Sequence, residues 1–194
     1  MSEKPYYQVP QNDTARDVVH RWWQRLHGEL VGGQSALPPA ARAMLRRAYT
    51  VDDTLLSEGF RHLWFALPDN LRKGWRMPAW GVIAAVLADV DSHIAGKSFA
   101  ATLGAQTEAG SGKPIMSELR FSQLQHSRDL DELLRRLRRA VHLLDGKTNV
   151  VSLADDILHW HQEQTFGSDI RPQQKLPVRW ATDYFTELGR YHGG

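Results

Sequence analysis

The chain of 194 residues contains no cysteine, which excludes disulfides, thiolate metal sites and cysteine nucleophiles. A membrane span needs a run of about 18 apolar residues. The richest stretch, Ala79 to Val90, falls well short of that, so none is expected. The opening Met-Ser-Glu-Lys-Pro-Tyr-Tyr lacks the apolar segment of a secretory signal, and a cytoplasmic protein is the simplest reading. No alternating strand pattern of any length is found, nor any internal repeat. Strong net charge is also missing: the balance is +2, far from gross basicity. Lysine is scarce, 6 residues against 18 arginines. Arginine favours planar, bidentate contacts to phosphate or carboxylate and stacks on bases, but a GC-rich genome gives the same bias, so composition alone decides nothing.

Catalytic patterns are equally sparse. Asp155 and Asp156 are adjacent, and adjacent helical residues diverge by about 100°, so they are expected to face arginine or to cap rather than to share an ion. His159 and His161 flank Trp160 and point to different faces, and His126, His142 and His192 stand alone, without metal-ligand spacing. There is no Gly-x-Ser-x-Gly elbow. Gly110-Ser111-Gly112-Lys113 is followed by Pro114 and lacks the strand that precedes a phosphate loop. The expectation is a protein that is not an enzyme, with no cofactor, no metal and no small-molecule substrate. A helical hydrolase using Asp155 and Asp156 as metal ligands is kept only as a formal alternative.

What is present is helical periodicity. Leu130, Leu133, Leu134, Leu137, Val141 and Leu144 follow i, i+3, i+4, i+7 spacing and share one apolar stripe. Asp129, Asp131 and Glu132 suit the positive end of that helix, and Gly146 marks its close. Arg135 and Arg139 point nearly opposite the stripe, with Arg136 and Arg138 on its flanks. The result is a leucine face backed by a guanidinium ridge.

The same spacing predicts helices over 14–30, 40–50, 53–66, 78–94, 97–103, from 117, over 153–164 and over 178–190. The 78–94 helix is apolar on nearly every side and belongs at the centre of a bundle. The fold class is all-α, a bundle of roughly eight to nine helices with room for two packed sub-bundles. Residues 1–12 read as a flexible N-terminal arm, 13–104 as an N-terminal helical sub-bundle, 105–116 as a flexible loop and 117–194 as a C-terminal sub-bundle. Most of the 7 tryptophans belong in the core, with Trp75, in its polar loop, expected to be exposed.

Basic clusters with aromatic neighbours are what remain. They lie at Arg42/Arg46/Arg47, Arg72/Lys73/Arg76 beside Trp75, Arg120, Arg135 to Arg139, and Arg171/Lys175/Arg179 beside Trp180. Any one of them can be a solvated helix face; several together suit a phosphate track, which needs many contacts and no particular geometry.

Met44-Leu45-Arg46-Arg47-Ala48, Ser98 to Gly104, Glu118 to Leu124, Asp129 to Leu144, Val150 to Trp160 and Val178 to Phe185 occur in this order. In order and spacing they resemble the CasB family, the small subunit of the type I-E CRISPR surveillance complex called Cascade. The resemblance covers residues 15 to 188 and implies a non-enzymatic, all-helical subunit. It implies two copies along the belly of the complex, packed on the backbone subunits and the large subunit. It also implies contact with crRNA and target DNA, including the displaced single strand of the R-loop, and a role in antiviral defence. On the matching motifs and neighbouring loops, the candidate nucleic-acid-binding residues are Arg46, Arg47, Arg76, Lys97, Lys113, Arg120, Arg136 and Arg139. Some of these could instead be internal ion-pair partners of Asp155, Asp156 or Glu118. The alternative function is a helical scaffold whose arginines dock on protein surfaces only.

Overall fold

Nine consecutive residues of one helix, Ala79 to Leu87, are all buried. A helix apolar on every side has to be enclosed by others, and the rest of the fold supplies the enclosure. The computed structural model describes residues 13–167 and 171–192; the expected N-terminal arm, 1–12, lies outside them. In chain order the helices are α1 (Asp13–Leu26), α2 (Pro39–Arg47), α3 (Val51–Leu55), α4 (Glu58–Ala66), α5 (Met77–Leu87), α6 (Phe99–Gly104), α7 (Glu118–Gln125), α8 (Leu130–Leu143), α9 (Val150–Phe166) and α10 (Leu176–His192). Short 3-10 turns cover Gly74–Arg76 and Pro172–Gln174. The fold is all-α, as the periodicity predicts. The central apolar helix is α5, which packs against α2, α3, α4, α8 and α9.

The tenth helix arises because the single helix expected over 53–66 is two. Thr50 caps α3 in a capping box with Asp53, and Ser57 caps α4 by accepting the Phe60 amide. Leu56, between them, is left in solvent at 77% exposure. The break lets α3 lie close on α5: a Cβ at Gly81 would stand 2.6 Å from Thr54 Oγ1 and 2.9 Å from Leu55.

A second correction concerns strands. Helix α5 stops at Leu87 rather than reaching Ile94, and β1 (Ser92–His93) pairs in parallel with β2 (Lys147–Thr148), Ser92 opposite Lys147. The amides of Asp91 and Ser92 both donate to the Gly146 carbonyl, at 2.8 and 3.0 Å. Gly146 has φ +70 and so adopts a conformation natural to glycine. Two-residue strands leave no periodic trace in a sequence.

Helix α9 is buried at every position from Val150 to Trp160, and Asn149 caps it through the Val151 and Ser152 amides. Helices α6 and α10 approach so closely that a Cβ on Gly104 would collide with the Tyr184 carbonyl. The 105–116 segment folds back on itself: Thr107 donates to the Lys113 carbonyl at 2.9 Å and Ile115 to that of Ala105 at 2.8 Å. One buried apolar cluster runs from Ala15 to Leu188 and draws on both halves of the chain. Trp22, Trp23 and Trp80 lie in it with their indole N–H groups on the carbonyls of Gly59, Val90 and Leu71. Trp160 and Trp180 are buried too, while Trp75 is 36% exposed. No helix among the described residues is long and apolar enough to cross a membrane.

Candidate nucleic-acid interface

Helix α8 is capped by Asp129, which accepts the Glu132 amide at 2.7 Å, and it buries Leu133, Leu134, Leu137, Ala140 and Val141. That fixes the arginine directions as the helical wheel predicts, yet the four arginines meet different fates. Arg138 turns inward to the end of α2. Its guanidinium donates to the carbonyls of Leu45 at 2.5 Å and Ala48 at 2.7 Å, and its Nε lies 3.2 Å from Asp89 Oδ2. The last carbonyls of a helix lack intrahelical donors and carry its negative dipole end, so a cation belongs there. Burial lowers the Arg138 pKa from the ordinary arginine value, with the Asp89 charge opposing.

Arg136, on the other flank, is half-buried between Glu132 Oε1 at 2.8 Å and the Gln123 carbonyl at the end of α7. Arg135 lies over the ring of Tyr49, 5.9 Å from its centroid, and Tyr49 is itself 67% exposed. Arg139 is exposed, with no hydrogen bond or ion pair among the described residues.

Helix α2 brings more cations to the same end of the bundle. Arg42 pairs with Asp91 at 2.6 Å and donates to the Ala88 carbonyl. Arg46 shares Asp89 with Arg138, its Nε 3.2 Å from Oδ1. Burial raises the Asp89 pKa above the ordinary aspartate value, and Arg138, Arg46 and Arg42 pull it back. Arg47 is exposed and unpaired among the described residues. Nearby carboxylates are otherwise engaged: Asp53 accepts the Tyr49 and Thr50 amides, and Asp131 accepts that of Val51. Arg42, Arg46 and Arg138 therefore meet Asp89 and Asp91 at the C-terminus of α2, and α2 and α8 carry Arg47, Arg135 and Arg139 as further cations. Arg135 is left over Tyr49, and Arg47 and Arg139 are exposed on the same two helices.

The other candidates are dispersed. Lys97 is bound to Glu187 Oε1 at 2.5 Å, and Arg190 holds the second oxygen, which ties the segment before α6 to α10. Lys113 is exposed on the 105–116 loop and Arg120 is exposed on α7, neither with a side-chain partner among the described residues. Arg76 covers the ring of Trp75 at 4.6 Å. The structure thus places Arg46, Arg47 and Arg139 on the two helices that Arg138 links, and leaves Arg76, Lys97, Lys113 and Arg120 on other elements and Arg136 turned to α7. Tyr49 is the site residue that sequence reasoning missed. Its signal was weak, a lone aromatic directly after an arginine-rich helix.

The acidic pair has a structural setting. Asp155 Oδ2 lies 3.8 Å from Arg179 Nη2, so Arg179 is an ion-pair partner of this carboxylate. Arg179 also reaches His159 Nδ1 at 2.9 Å, and His159 Nε2 lies 2.8 Å from Glu163. Asp156 is fully enclosed. Burial pushes its carboxyl up to about 8 with the help of the Asp155 charge, against the pull of Arg179 and the Trp180 indole. No group of three or more His, Cys, Asp or Glu that could hold a metal ion occurs among the described residues.

A sequence-family profile described as CRISPR-associated protein Cse2 matches residues 41–185, about three quarters of the chain. The chain belongs to the Cse2 family. A CRISPR-associated protein Cse2 from Thermus thermophilus is 27% identical over 168 residues, spanning 84% of this chain and 86% of the relative. The crystal structure of CasB from Thermus thermophilus superposes with a TM-score of 0.55 at 26% identity, covering 88% of this chain and 97% of that one. A second crystal structure, of a Cse2-family CRISPR-associated protein from the same organism, gives a TM-score of 0.54 at 27% identity with the same coverage. The family that the motif order resembles is therefore the family shown. The Cse2 match includes every arginine from Arg42 on α2 to Arg139 on α8.

Proposed function

We propose that this Cse2-family protein is the non-catalytic small subunit of the type I-E Cascade complex, acting in the cytoplasm in antiviral defence. In this role it holds nucleic acid, without reading sequence, while guide and target pair. Replacing a DNA duplex by an RNA–DNA hybrid is nearly balanced in energy, so protein contacts to the displaced strand can tip the exchange. Guanidiniums that neutralise phosphates and ignore base edges suit that task. The supporting observation is that Arg135 lies over exposed Tyr49 while Arg47 and Arg139 are exposed on the same two helices, which Arg138 joins through the α2 carbonyls and Asp89. The strands contacted would be the target and displaced DNA strands and the crRNA, with a second copy of this chain continuing the track.

The test is fluorescence anisotropy of labelled single-stranded DNA over a salt series, with Arg47→Ala/Arg139→Ala beside the unaltered protein. Removing two phosphate contacts should weaken binding and shallow the log–log salt slope by about 1.4, while assembly with the other subunits survives. Loss of assembly with DNA affinity intact would instead support the scaffold reading. One observation favours that second reading: Leu119, Val178 and Phe185 are apolar and exposed on α7 and α10, as a docking face requires.

A further inference from the structure

Away from the α2–α8 crossing, the turn before α5 meets the last turns of α9 in a surface aromatic group. Trp75 lies edge-on to Phe166 at 4.8 Å and stacked near His161 at 5.9 Å. His161 Nε2 lies 2.7 Å from the Trp75 carbonyl, which fastens the turn to the helix. Trp75 and Phe166 are nevertheless 36% and 64% exposed. One cation borders them and a second lies two residues before Trp75 in the same turn. Arg76 covers Trp75 at 4.6 Å, makes no ion pair among the described residues, and has a buried Nε without an acceptor. The Lys73 ammonium is exposed and likewise unpaired among the described residues. The nearest acid along the turn, Asp69, is paired with Arg72 at 2.5 Å.

Large aromatic rings held half-open, with cations on the same turn that make no ion pair among the described residues, suit a ligand with a flat π-face and a negative charge one linkage away. A nucleotide of a single strand has both, whereas an apolar protein surface would leave Arg76 and Lys73 without counter-charge. Building on the nucleic-acid reading above, we infer that Trp75 and Phe166 form a stacking ledge for one unpaired nucleobase, with Arg76 and Lys73 on its phosphate. The ledge is sequence-tolerant, because every base has a π-face. Its stacking adds to the phosphate track a contact that the salt slope cannot reveal.

The experiment compares, on the purified full chain, an oligothymidylate of about 15 nucleotides with an abasic oligomer of the same length and phosphate number. An oligouridylate arm tells RNA from DNA, and the tighter of the two names the strand. The oligothymidylate or oligouridylate should bind about 5- to 150-fold tighter than the abasic strand, the range expected for stacking one base. Trp75→Leu should erase that difference and leave abasic binding unchanged, while Trp75→Phe keeps most of it. Phe166→Ala, at an exposed position, should reduce it and serves if Trp75→Leu fails to fold. Arg47→Ala/Arg139→Ala should weaken both kinds of strand alike. Equal, salt-sensitive binding of base-bearing and abasic strands would overturn the ledge and leave the phosphate track standing. Absence of binding by every strand at low salt would overturn both.

Discussion

Arg138 and Asp89 stand 3.2 Å apart at the junction of α2, α5 and α8, and each is only about one-fifth exposed. The neighbouring Arg139 points into solvent. Two adjacent arginines on one helix thus have opposite duties. Breaking a buried pair leaves an uncompensated charge and here also strips the α2 carbonyls of their donor, so Arg138→Ala should cost about 2–4 kcal/mol. Arg139→Ala should change stability by less than about 0.5 kcal/mol. Urea unfolding followed by circular dichroism separates them; equal midpoints for the two variants would refute the division of roles.

Asp156 predicts an unusual pH dependence. Its folded pKa, about 8, lies above the ordinary 3.8. The folded state therefore binds the proton more tightly than the unfolded state does. Its contribution favours folding at low pH and is progressively lost as pH rises between those two values. From pH 6 to pH 9 this group alone should destabilise the fold by about 3 kcal/mol. Asp156→Asn should flatten that decline in thermal melts across the range; an unchanged slope would mean that Asp156 is ionised in the fold at neutral pH.

Gly104 and Gly189 offer a matched pair. A Cβ on Gly104 meets the Tyr184 backbone, whereas one on Gly189 meets nothing within 4 Å. Gly104→Ala must push α6 off α10 and should cost about 2 kcal/mol or more. Gly189→Ala, in an exposed helical position, should be neutral or stabilising by up to about 1 kcal/mol. Differential scanning calorimetry of the two variants decides the sign of each.

The exposed face of α10 gives a test of docking. Val178→Lys/Phe185→Lys alters side chains that are 40% and 47% exposed, so the isolated chain should keep its melting temperature. Incorporation into the assembled complex should fall, read by co-purification with the other subunits. Full incorporation would remove this face from the candidate interfaces.

Much of this architecture can be read from the chain. The α8 stripe, the prolines opening α2 and α5, and the all-round apolarity of α5 each state a local preference that packing then satisfies. The split at Ser57 is hidden, because Leu55, Leu56 and Phe60 continue a helical rhythm through a residue whose hydroxyl ends one helix and starts the next. The fates of Arg136 and Arg138 are hidden for a different reason. Both flank the stripe equally, and only the three-dimensional neighbours, a carbonyl of α7 or those of α2, tell them apart. Tyr49 and Phe166 acquire meaning only beside Arg135 and Trp75, which lie 86 and 91 positions away in the chain.

Helix α9 carries one more implication. With every residue from Val150 to Trp160 enclosed, it has no outer side on which substitutions are free. A comprehensive mutational scan should therefore show α8 alternating between permissive and forbidding positions every three or four residues, and α9 as an unbroken block of intolerance. That block should end where the helix surfaces near His161, so variants compatible with folding will be found on the rim of the molecule and almost never along its axle.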